Sequence, residues 1–130
     1  MLASLAVLTA AILLGGMTFF SFGFAPVLFK QLPMAQVRPL LRGTFPYYYL
    51  AVIAVSGVAT ALAVTVSVTA AGLFAVICVS TLYARQILML QINAASDAGD
   101  QAGFKRLHGL SVVIQLIQLG LAGWGLLVIA

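Results

Sequence analysis

The sequence predicts an all-α integral membrane protein, a four-transmembrane-helix bundle with both termini on the non-cytoplasmic side. Three observations carry that reading. The chain is 64% hydrophobic and only 6% charged, with a mean hydropathy of +1.21, whereas a soluble domain carries about 25% charged residues. Its 130 residues divide into four apolar stretches, each near the ~20 residues that a bilayer core requires. The six Lys and Arg (Lys30, Arg38, Arg42, Arg85, Lys105 and Arg106) all fall near what would be one side of such a bundle. That one-sided bias orients a membrane protein with its basic connections in the cytoplasm.

The first span is expected over residues 2–29, without a charge. At about 1.5 Å per residue it exceeds a core of about 30 Å, so tilt or a break near Pro26 should absorb the excess. Its beginning lacks a positive segment, so it should be retained as a span rather than cleaved as a secretory signal. Thr9, Gly16 and Gly23 recur every seven residues and offer a small-residue seam to a neighbouring helix. Phe19, Phe20, Phe22, Phe24 and Phe29 crowd its second half as packing or lipid-facing rings.

A cytoplasmic connection follows over residues 30–43, with three basic residues and Pro33 and Pro39. It is too polar and too broken to span. The second span, 45–68, opens on Phe45-Pro46-Tyr47-Tyr48-Tyr49, where proline suits a first helical turn and tyrosines suit the interface. Within it, Gly57 and Ala61 form a small-residue pair that permits close approach. A short turn over 69–72 leads to the third span, 73–92. The second cytoplasmic connection covers 93–106 and holds both acidic residues, Asp97 and Asp100. The fourth span, 107–129, carries Trp124 as an interfacial anchor. Each half thus reads as helix, connection, helix, which suggests a duplicated hairpin.

The fourth span holds the polar exception. His108, the only histidine, is followed by Ser111, Gln115 and Gln118, which share one helical face because steps of three and four preserve azimuth. A polar stripe in a lipid-spanning helix is costly unless neighbours satisfy it. The end of the third span, Arg85 through Asn93, should approach the start of the fourth on the cytoplasmic side. The candidate polar cluster is therefore Arg85, Asn93, His108, Ser111 and Gln115. Its functional reading is a binding mouth or proton relay, since histidine titrates near neutrality and arginine pairs with carboxylate or phosphate. Its structural reading is that Arg85 snorkels to headgroups while His108 and Gln115 join helices.

Other chemistries find little support. Cys78, Met17, Met34 and Met89 show no soft-metal spacing and read as packing. One histidine excludes bis-histidine haem ligation within a chain, and one cysteine excludes an intrachain disulfide. No paired-carboxylate, nucleophile–base or phosphate-loop arrangement stands out, so no catalytic or metal residue and no cofactor is indicated. Nucleic acid is not an expected partner, because no basic patch with interleaved aromatics occurs.

Three ordered motifs carry a resemblance: GGMTFFSFGFAPVLFKQLP (15–33), RGTFPYYYL (42–50) and FKRLHGLSVVIQL (104–116). Together with Ala84-Arg85 and Asn93, they resemble the transmembrane-protein-205-like family of small polytopic membrane proteins, a domain of unknown function. His108-Gly109-Leu110-Ser111 after Phe104 is the most specific piece. Gln115 stands where that family often has asparagine, and Ile92-Asn93 lacks a proline common near that point. The resemblance implies a four-helix membrane fold and brings no assigned reaction. The expected function is a transport-associated or solute-handling protein, a homo-oligomer or part of a complex, in a bacterial inner membrane. An accessory subunit of a larger membrane complex is the alternative, and a haem- or quinone-associated redox protein a second one.

Overall fold

The computed structural model describes residues 1–130. It contains four helices long and apolar enough to cross a membrane: α1 (Leu2–Gln31), α2 (Met34–Ala63), α3 (Val68–Asp97) and α4 (Gln101–Ile129). There are no strands. Connections of a few residues force consecutive helices to run antiparallel. In the resulting ring, α2 packs between α1 and α3, and α4 closes the ring between α3 and α1. Every charged side chain lies towards the end that holds the α1–α2 and α3–α4 connections. The α2–α3 turn and the first and last residues lie at the opposite, uncharged end.

The helices extend beyond the expected spans. Residues 34–43, 93–97 and 101–106 are helical, so the charged end has only two brief breaks, at 32–33 and 98–100. Pro33 starts α2 as its N-cap, and Pro39 and Pro46 sit inside that helix. Each proline removes a single i→i−4 bond, and the carbonyls freed near a polar end can be met by water or side chains. Gly99 ends α3: at φ 71° it lets Asp100 N–H reach the Ala95 carbonyl and its own N–H reach that of Ser96. This is a Schellman closure, which needs a left-handed residue. Asp100 then caps α4 by accepting from Gly103 N–H at 3.0 Å. A Cβ at Gly103 would collide with that carboxylate.

The α2–α3 turn falls at 64–67 rather than 69–72, because Ser67 caps α3 and accepts from Ala70 N–H. Nor does α1 break at Pro26. It passes through a π-helical segment, Phe19–Phe24, and continues to Gln31. A matching π-helical segment, Ala84–Leu88, interrupts α3. Each lies about two-thirds along the first helix of its hairpin. Inserting one residue per turn rotates the rest of the helix against its neighbours.

The uncharged end of the bundle is closed by apolar packing. Ala6, Ala10, Leu13 and Met17 of α1 meet Val52, Ala59 and Ala63 of α2, Ala70, Phe74 and Ile77 of α3, and Ala122 of α4. Alanines bring backbones close while Phe74 and Met17 fill the centre. The seam expected at Thr9, Gly16 and Gly23 is not the one used. Gly16 is exposed with nothing near its Cβ position, and Thr9 donates to the Leu5 carbonyl of its own helix. Ala61 also faces outward, and the buried face of α2 is that of Ser56, Ala59 and Ala63. The close approach occurs instead at Gly125, where an added Cβ would lie 2.7 Å from the Phe74 ring.

Candidate functional site

The polar stripe of α4 reaches three different sets of partners. Gln118 is buried and its amide donates to Ser80 Oγ at 2.7 Å and Thr81 Oγ1 at 3.0 Å, tying α4 to α3. One turn closer to the charged end, Gln115 donates to Ser21 Oγ at 2.9 Å and to the Tyr48 hydroxyl. That amide therefore joins α1, α2 and α4 at one point. Ser111 donates to the His108 carbonyl within its own helix.

Above the Gln115 knot lies an aromatic layer. The Phe20 and Tyr48 rings stack with centroids 3.9 Å apart, and Phe45 meets Phe20 edge-on at 5.4 Å. Tyr49 packs against Phe45 and Tyr48. The π-helical turn of α1 delivers both Phe20 to the stack and Ser21 to Gln115.

Outside that layer, at the charged end, is a cleft of about 60 Å³ lined by Arg42, Phe45, Asn93, His108 and Ser111 among others. It brings together three of the five expected residues, Asn93, His108 and Ser111, from α3 and α4. Gln115 is committed to the knot below, and Arg85 does not line the cleft. The Arg85 Nε donates instead to the Pro46 carbonyl at 3.2 Å. The Asn93 amide and the His108 ring nitrogens have no hydrogen-bond partner in the protein. The exposed His108 ring lies parallel to Phe104, one turn earlier, with centroids 5.8 Å apart. A few waters or a small ion fit such a volume, while drug-sized ligands occupy several hundred Å³.

Arg42 is the residue that sequence reasoning missed at this site. It holds Asp97 through two bonds of 2.7 and 2.9 Å, fastening α2 to the end of α3. Asp97 is the last residue of α3, and helices of about 30 residues rise ~45 Å against a core of ~30 Å, so this exposed pair lies beyond the hydrocarbon. The Arg42 guanidinium holds the Asp97 carboxyl below the usual carboxylate range. Ser21, Tyr48, Ser80 and Thr81 were also missed. Their types are common on any helix, and only the rotational register about each axis reveals that they face α4.

The fold and this arrangement define a class: small multi-pass membrane proteins whose apolar bundle carries its charges and its polar cleft at one end. Within that class, the family described as Domain of unknown function (DUF4149) matches residues 8–101, and the chain belongs to that family. The match ends as α4 begins, so His108, Ser111 and Gln115 lie outside it. Nothing in it confirms the narrower likeness to transmembrane-protein-205-like proteins. No curated protein and no solved structure matches the chain.

Proposed function

We propose that this protein handles a small polar solute or ion at the charged, cytoplasmic end of its bundle, in a bacterial inner membrane. The observation that carries the reading is the cleft in which Asn93 and His108, both without protein partners, face Arg42 and Ser111. Polar groups at a membrane protein's edge that its own fold leaves unsatisfied are available to a ligand. Asn93 offers a donor and an acceptor, His108 its ring nitrogens and Ser111 a hydroxyl. Behind them the aromatic layer and the alanine-rich core close the bundle. A single chain therefore suits capture and release at one face, and movement across the bilayer would require further copies or a partner.

The test is ligand-induced thermal stabilisation of the detergent-solubilised protein. The panel is ammonium, chloride, bicarbonate, acetate and divalent metal ions. At least one should raise Tm of the wild type and fail to do so for Asn93→Ala and His108→Ala. A panel that treats wild type and variants alike removes the reading. Co-purification of a larger membrane protein would favour the accessory-subunit alternative. The open apolar groove along α3, lined by Ala75, Val76, Val79, Ser80 and Tyr83, is a surface such a partner could use.

A further inference from the structure

The chain has six Lys and Arg but only two acidic residues, and the structure commits both acids. Asp97 is held by both terminal nitrogens of Arg42. Asp100 is the N-cap of α4. No carboxylate remains for Arg85, the one basic residue set well back from the helix ends. Arg85 is half-buried between α3 and α2, and its Nε is fixed on the Pro46 carbonyl. Its terminal nitrogens make no hydrogen bond within the protein, and no buried side-chain polar atom is left without a partner. They are therefore accessible from outside. With Nε occupied, the free edge of the guanidinium is the one that presents two parallel donors, the geometry that grips two oxygens of one anion.

The depth of this fork narrows the ligand. Arg85 lies about 18 Å along the axis from the end of α3, at 1.5 Å per residue. A helix of ~45 Å exceeds a hydrocarbon core of ~30 Å by ~15 Å, and with that excess at the charged end, since the opposite end carries no charged side chain, Arg85 lies within about a turn of the boundary. The anions concentrated at that level are lipid phosphates. A second copy of the chain could offer only Asp97 or Asp100, each already engaged. We infer that the outward fork of Arg85, anchored on Pro46 between α2 and α3, binds the phosphate of an anionic phospholipid.

Native mass spectrometry of the full chain, released from nanodiscs of phosphatidylglycerol in phosphatidylcholine, tests this. Wild type should retain phosphatidylglycerol preferentially. Arg85→Gln should retain about tenfold less, the loss expected when one charge-assisted pair of bonds is removed. Arg85→Lys, which keeps the charge and loses the fork, should also retain less, and serves if the glutamine variant does not fold. Arg106→Gln, at an exposed helical site, should behave as wild type. Equal retention by wild type and both Arg85 variants overturns the inference, as does an equal loss in Arg106→Gln, which would indicate diffuse attraction. Inorganic phosphate stabilising wild type over Arg85→Gln in lipid-free neutral detergent, with no lipid retained, would assign the fork to a free anion and overturn the lipid.

Discussion

Single side chains in this bundle divide between those that hold helices together and those left open. Gln118 belongs to the first kind. Its bonds to Ser80 and Thr81 are buried, and interhelical bonds of this sort contribute about 0.6–2 kcal/mol in a membrane. Gln118→Leu should therefore destabilise the bundle by about 1 kcal/mol in a reversible unfolding titration. Asp97 and Arg42 fasten the charged end. Because the folded carboxyl is held below its ordinary range, the pair stabilises the fold above the unfolded carboxylate pKa. That contribution is lost as pH falls through the folded value. Wild type should exceed Asp97→Asn in Tm at neutral pH, and the two should converge in acid. The stripe 108–111–115–118 was legible in the sequence, because helical spacing alone defines it. The partners were not: Ser21, Tyr48, Ser80 and Thr81 meet it only through the rotation of each helix, which no spacing rule supplies.

At the level of the helices, existence and order were legible and ends were not. Hydropathy marks the apolar centre of each helix. Residues 34–43 are polar and contain Pro39, yet they are helical, since a proline costs one backbone bond and nearby carbonyls reach water. Gly99 was a readable stop signal that the run of polar residues around it obscured. The π-helical segments left no mark that composition could reveal. Close approach was misplaced as well, and paired substitutions check the correction. Gly125→Ala should cost about 1–3 kcal/mol by forcing a methyl against Phe74. Gly16→Ala, on an open outward face, should change stability by no more than about 0.5 kcal/mol. The reverse order in an unfolding titration would restore the Gly16 seam.

For the whole molecule, the governing feature is polarity from one end to the other. One end is alanine-rich and uncharged, and the other holds all the charge, the cleft and the Arg85 fork. We propose, from the positive-inside bias, that this end faces the cytoplasm. Single cysteines introduced at Ala98 and Thr65 in a Cys78→Ala background test this with an impermeant maleimide applied to intact cells. Thr65→Cys should label at once, and Ala98→Cys only after permeabilisation. The claim on which the functional reading rests is that Asn93 and His108 form a ligand site. Since the chain has one histidine, its ring nitrogens give one pair of nitrogen-15 signals in labelled protein in nanodiscs. Titration with the solute panel should move those signals for at least one solute, saturably, and Asn93→Ala should weaken or abolish the movement. His108 signals that ignore every solute, or that respond identically without Asn93, would contradict the account.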